Sequence, residues 1–224
     1  MFVDGDWVKA KGTTLGADNG IGVAAIMSLL ASDSIAHPPI EALFTIDEET
    51  GMTGALTLKG GLLDGKILLN LDTEEDNELT IGCAGGVDVT ANGTYQTQVV
   101  SGGNALQVKI KGLTGGHSGV DIQKGRANAN KLMNRLLLQL TEKFDVKIAA
   151  IDGGSLRNAI PRESTSIIVC DAAKTDQIKN HVAELGMIYK TENQLTDPNL
   201  AVEISSAALP SVVMEPSFQR NFLK

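Results

Sequence analysis

Three acidic clusters stand where an apolar stretch meets a loop: Asp18 in Gly16-Ala17-Asp18-Asn19-Gly20, the run Asp47-Glu48-Glu49, and Asp72 in Asn70-Leu71-Asp72-Thr73-Glu74-Glu75. Singly, each has a plain reading. An Asp or Asn before an apolar helix is ordinarily its cap, and an acidic run after a strand is ordinarily a solvated turn. Together, on alternating strand and helix elements in the first third of the chain, they read as one metal site. Hydrolytic zinc pairs are held by mixed carboxylate and imidazole ligands. One carboxylate bridges the ions and a further acid beside them takes a proton from the bound water. Adjacent Glu48 and Glu49 suit that division, because neighbouring side chains on an irregular turn diverge, one ligating and one facing the water as general base. Calcium is the competitor, since Asp72, Glu74, Asp76 and Glu78 alternate like the start of an EF-hand loop. That match fails at Asn77, where the sharp turn needs Gly, and at Cys83, where a bidentate Glu is required.

The positioning elements follow from periodicity. Residues 41–46 and 66–71 are short apolar runs that read as buried strands, so two of the clusters fall at strand ends. In open α/β sheets the crevice outside the carboxyl ends of the strands is where ligands bind. Residues 21–31 read as an apolar, small-residue helix, with Asp18-Asn19-Gly20 as its start signal. Composition shifts at Gly82-Cys83-Ala84-Gly85-Gly86, which places a domain boundary between 1–85 and 86–224. Beyond it, alternation and helical spacing predict strand 105–112, helix 124–141, strands 145–151 and 164–169, helix 175–189 and strand 200–204. The order β-α-β-β-α-β is the ferredoxin-like plan.

Segments 13–22, 44–51 and 70–75, together with Gly115-Gly116-His117-Ser118-Gly119 and Leu156-Arg157-Asn158-Ala159-Ile160-Pro161, resemble the aminoacyl-histidine dipeptidases (Xaa-His dipeptidases, peptidase D). These belong to the co-catalytic zinc aminopeptidases and carboxypeptidases, and the resemblance runs along nearly the whole chain. It implies an α/β fold: part of a zinc-peptidase catalytic domain followed by a ferredoxin-like α+β lid that also pairs two subunits as a homodimer. It implies two zinc ions per complete active site, short peptide substrates of the Xaa-His type and a cytoplasmic enzyme. By the same resemblance Asp18 is the carboxylate bridging both zincs, Glu48 the general base, Glu49 a ligand of one zinc and Asp72 a ligand of the other. His117 resembles the lid histidine that binds substrate and polarises the scissile carbonyl, and Asn158 lies in the lid motif associated with substrate binding.

The family pattern also has a His-x-Asp upstream of the bridging Asp and a last histidine ligand near the carboxyl end. Neither is present here. The 3 histidines are His37, His117 and His181; His37 precedes Pro38-Pro39 in a loop, and His181 lies in a polar helical stretch. The expectation is therefore a piece of a longer dipeptidase, inactive by itself. The alternative is a non-catalytic lid, dimerisation or peptide-binding module.

Composition narrows the remaining classes. With 224 residues, 42% hydrophobic and 21% charged, the chain has enough apolar residues for a core. A net charge of -8 and a pI near 4.9, with no basic stripe, argue against nucleic acid as a partner. Cys83 and Cys170 form no paired framework, which suits a reducing cytosol and places both in the core. The longest apolar stretch, near 21–31, is too short to span a bilayer, and Met1-Phe2-Val3-Asp4-Gly5-Asp6 is no signal peptide. A serine-hydrolase elbow is excluded because a G-x-S-x-G starting at Gly116 would need Gly at Val120. Gly16, Gly20 and Gly22 match neither phosphate-loop spacing.

Overall fold

The computed structural model describes residues 1–12, 15, 17–73, 77–82 and 85–224. Cys83, expected in the core, lies outside them, as do Thr13, Thr14 and Gly16 of the first motif and Glu74, Glu75 and Asp76 beside Asp72. The chain divides into two compact units, Met1–Ala84 and Gly85–Lys224.

In the first unit, strands β1 (Phe2–Asp4) and β2 (Trp7–Lys9) pair antiparallel around Gly5, followed by helices α1 (Gly20–Leu30), α2 (Glu48–Gly51) and α3 (Thr53–Thr57). The expected helix at 21–31 is there as α1, but its cap is Asn19: the side-chain oxygen accepts the Gly22 N–H at 2.9 Å. The two expected buried strands are not there. Segments 41–46 and 66–71 form no ladder, and Ile67 (83%), Leu68 (79%) and Leu69 (79%) are exposed. A strand of a parallel sheet persists only when neighbouring strands take its backbone polar groups and other layers cover both faces. Among the described residues of this unit, the β1–β2 hairpin is the one ladder formed.

The second unit holds β3 (Thr97–Val99), β4 (Asn104–Lys111), α4 (Ala129–Phe144), β5 (Lys147–Gly153), β6 (Ser164–Cys170), α5 (Thr175–Glu192), β7 (Ala201–Ser206), β8 (Val212–Met214) and α6 (Pro216–Leu223). Strands β4 to β7 form one antiparallel sheet in the order β5-β6-β4-β7, so the connection through each helix crosses a strand, as the ferredoxin-like plan requires. In register, Val108 of β4 lies opposite Ser166 of β6 and Ile204 of β7. Strands β3 and β8 pair separately. The expected helix from residue 124 begins at Ala129 instead. A short 3-10 turn, Ile122–Lys124, ends at Gly125 with φ +67°, and Asn128 then caps α4 by accepting the N–H groups of Asn130 (2.9 Å) and Lys131 (3.3 Å).

Among the described residues, every buried apolar side chain lies at or beyond Ala105. On α4, Met133, Leu136, Leu137, Leu140 and Phe144 follow helical spacing and bury one stripe; on α5, Ile178, Val182, Leu185 and Tyr189 do the same. These stripes join Leu106, Val108, Ile110, Ile148 and Ile168 of the sheet in one cluster. Gln219 of α6 is buried with them and satisfies the β5 edge, accepting the Ile148 N–H at 2.8 Å.

One buried charge ties the loops of this unit together. Asp197, in the connection between α5 and β7, is fully buried. Its carboxylate accepts the Thr114 N–H and the Ala127 N–H, each at 2.8 Å, and so clamps both ends of the loop between β4 and α4. Burial pushes its carboxyl up, but hydrogen bonds from Ala127, Thr114 and Thr196 outweigh burial and hold it below the ordinary Asp range. A carboxylate depressed in the folded state stabilises above its unfolded pKa, and that contribution is lost as pH falls through the folded value. Asp197→Ala orphans two buried donors and is expected to destabilise the unit by about 2–4 kcal/mol at neutral pH. The variant should also lose less stability than wild type between neutral and acid pH. Urea unfolding across that range checks both, and equal pH slopes in the two proteins would contradict the clamp.

Candidate active site

The acidic residues gather around α2. Asp47, at φ 62°, turns the chain into this single helical turn, and its carboxylate accepts the hydroxyls of Thr50 and Thr53. A non-glycine residue in this left-handed region is uncommon, and Asp is among the residue types that tolerate it. The turn is fastened to the preceding segment by the Gly54 N–H donating to Ile46 O at 3.1 Å. Glu48 and Glu49 therefore occupy the first turn of α2, and Asp47 is spent on the turn itself. Asn19 takes the α1 cap, which keeps the Asp18 carboxylate out of that role. The Asp72 N–H donates to the Asn70 side chain at 3.1 Å.

The charges of these carboxylates meet at Glu48. The Glu48 carboxyl is pushed above its ordinary value, first by desolvation and then by the negative charges of Asp72, Glu49 and Asp18. Three separate segments thus place charge on one glutamate. Even so, among the described residues no three His, Cys, Asp or Glu side chains converge closely enough to hold a metal ion. His37 lies elsewhere, its Nδ1 against Pro38 O at 2.8 Å, and His181 on α5 faces Glu184 at 3.4 Å.

His117 and Asn158 come together in the second unit. The two segments run antiparallel as a single bridge between His117 and Ala159: Ser118 N–H donates to Asn158 O at 2.7 Å and Ile160 N–H to Gly116 O at 2.8 Å. Pro161 O accepts the Ala129 N–H at 2.9 Å, fixing the Asn158 segment to the start of α4, and Arg157 pairs with Asp88. Both His117 and Asn158 are exposed. The imidazole Nδ1 accepts the N–H groups of Gly119 (3.0 Å) and Val120 (3.2 Å). An Nδ1 committed as acceptor leaves the proton on Nε2, which then faces away from the turn as a donor.

Three residues around His117 went unread in the sequence: Asp121, Arg126 and Asp197. Asp121 accepts the His117 N–H at 2.9 Å, and Arg126 donates to Gly115 O at 2.6 Å. The recoverable signal was local for Asp121, four residues after His117, and for Asp197, which stands before Pro198 in a turn.

Residues 108–194 match the peptidase dimerisation domain. The chain is 42% identical over 224 residues, its whole length, to the cytosol non-specific dipeptidase of Escherichia coli K12 and covers 46% of that protein. The crystal structure of aminoacylhistidine dipeptidase from Vibrio alginolyticus matches 99% of the chain at 42% identity with a TM-score of 0.68, again over 46% of the relative. Over its whole length the chain is similar to these dipeptidases. A further family-level likeness is to the uncharacterised protein YqjE of Bacillus subtilis, 30% identical over 177 residues, which are 75% of this chain and 41% of that one. The chain thus spans about half the length of the curated relatives it matches. In dipeptidase-family terms, the acidic cluster belongs to the first unit and the dimerisation-domain match falls wholly in the second.

The convergence of charge on Glu48 is open to direct test. Asp72→Asn removes a negative neighbour and should lower the Glu48 pKa toward the ordinary glutamate value; side-chain carboxyl NMR titration measures this, and an unchanged Glu48 would separate the two segments.

Proposed function

We propose that this chain carries the acidic metal-site residues and the substrate-binding lid of a metal-dependent dipeptidase that cleaves short peptides, including the Xaa-His type. The observation that carries the reading is the raised Glu48 carboxyl beside Asp18, Glu49 and Asp72, in a chain 42% identical throughout to a dipeptidase. The donor set fits a divalent cation in charge. It lacks the imidazoles that close the shell of a zinc pair, so the fit covers only the acidic part of the site. In the whole enzyme Asp18, Glu49 and Asp72 would hold the metal, and the remaining histidine ligands would come from other parts of the protein. The ions supply a polarised water and a Lewis-acid contact for the scissile carbonyl.

The chain's own residues then divide the work. Glu48, the acid beside the ligands and not one of them, takes the water's proton and passes it to the leaving amine. His117 donates from Nε2–H to the oxygen where charge develops, and Asn158 helps hold the peptide from the adjoining segment. A homodimer through the second unit is supported by the dimerisation-domain match, by exposed Met187 (66%) and Leu195 (93%) on and after α5, and by β7 at the sheet edge. A cytoplasmic setting is supported by the cytosol dipeptidase relative; among the described residues no helix is long and apolar enough to cross a membrane.

The second reading, a non-catalytic lid, dimerisation or peptide-binding module, is favoured by one observation: all the buried apolar core among the described residues lies in the second unit. Calorimetry and an activity assay test the chain alone. Weak zinc binding and no dipeptidase activity are expected of these 224 residues, and robust chelator-sensitive hydrolysis would overturn the view that further ligands are needed. In the full-length enzyme, Glu48→Gln should abolish turnover with metal content kept, whereas Asp18→Ala should lose metal. His117→Ala should lower kcat by about a hundredfold or more, with metal unchanged. Metal loss in the Glu48 or His117 variant would remove that residue from its role.

A further inference from the structure

We propose that Asp121 is a positioning residue for His117: its carboxylate, held between Lys124 and Arg126, fixes the glycine-rich turn so that the imidazole presents Nε2–H outward. The inference rests on the reading of His117 as the donor to the developing oxyanion.

The contacts around the turn are reciprocal. The His117 N–H donates to Asp121 Oδ2 at 2.9 Å, and the Asp121 N–H donates back to His117 O at 3.0 Å, so both main-chain polar groups of His117 are spent on one partner. Asp121 is itself braced, with Lys124 Nζ at 2.6 Å from Oδ1 and Arg126 Nη1 at 3.4 Å from Oδ2. The same Arg126 nitrogen donates to Gly115 O at 2.6 Å, closing a ring of contacts across the turn. There is no slack in it: at Gly116, with φ +137°, an added Cβ would collide with Arg126 Nη1 and Asp121 Oδ2. The main chain beyond the histidine is then placed so that Gly119 and Val120 both donate to Nδ1. An imidazole fixed before substrate arrives gives up no rotamer freedom when charge develops, which is where a preorganised donor gains over a mobile one.

A purely structural aspartate would hold the turn without acting through the ring, and a double-mutant cycle distinguishes the two. In the full-length dipeptidase, Asp121→Ala should lower kcat about tenfold with KM little changed, the loss corresponding to about one hydrogen bond. In the His117→Ala background the same substitution should cost nothing further. Asp121→Asn keeps an acceptor for the His117 N–H and should recover most of the loss. An equal loss in both backgrounds, or wild-type kcat in Asp121→Ala, overturns the inference. A second measurement needs no activity. In the 224-residue chain, Asp121→Ala should release the Gly119 and Val120 amides to exchange and free the His117 ring among rotamers, with the β4 and α4 amides unchanged in NMR. Retained protection at Gly119 and Val120 overturns the inference, whatever the kinetics. Wild-type kcat in His117→Ala alone would instead overturn the proposed role of His117, and the exchange data would still decide whether Asp121 positions the ring.

Discussion

Burial of one apolar layer between a four-stranded sheet and two helices is the constraint on which the second unit depends. Leu106, Val108 and Ile110 alternate along β4 toward that layer, and Leu136, Leu137 and Leu140 of α4 with Ile178, Val182 and Leu185 of α5 complete it. At roughly 25 cal/mol per Å² of apolar surface removed from water, such a layer outweighs any single polar contact in the unit. On the other face, Lys109 pairs with Glu163 at 3.3 Å and Lys111 with Glu203 at 2.8 Å, partly exposed pairs that contribute little stability. The layer fixes the ends of the strands, and the ends of the strands fix where the His117 and Asn158 segments meet.

The contrast with the first unit is physical. Its apolar residues are no scarcer in sequence, yet Ile67, Leu68 and Leu69 have no layer to enter. What organises this unit is polar: the Asn19 cap, the threonine hydroxyls on Asp47, and, across more than twenty residues, the Glu41 carboxylate accepting the Asp64 and Gly65 N–H groups at 2.9 Å and 2.6 Å. A cluster of carboxylates is unfavourable on such a scaffold, since each negative charge raises the free energy of ionising the next. The Glu48 carboxyl is raised first by desolvation and then by that repulsion, and a cation is the partner that would relieve the second.

Legibility followed the range of the forces. Helical periodicity in Leu132-Met133-Asn134-Arg135-Leu136-Leu137 and strand alternation at Leu106, Val108 and Ile110 are local patterns, and both elements formed where they pointed. The start of α4 was misjudged because Gly125, read as part of the helix, takes a left-handed turn. Segments 41–46 and 66–71 carry the composition of strands, but a strand is a property of its neighbours, and composition is silent on those. Asp18-Asn19-Gly20 marks the start of α1 in the sequence, and the cap falls to Asn19, which leaves the Asp18 side chain out of it. The placing of His117 beside Asn158, and the Asp197 clamp on the loop between β4 and α4, rest on contacts across the unit that no window of sequence contains.

The span of one of those contacts bears on how the site comes into being. Thr114 and Ala127 precede Asp197 by 83 and 70 residues. The hairpin of β5 and β6 closes from near neighbours and can form early, whereas the loop carrying His117 waits for a carboxylate supplied after the second helix. On a chain made from its amino end, the histidine is among the earlier residues of the unit to emerge, and the clamp on its loop can close only once Asp197 has followed. The loop that carries the imidazole is therefore closed at both ends by a residue that follows both α4 and α5 in the chain.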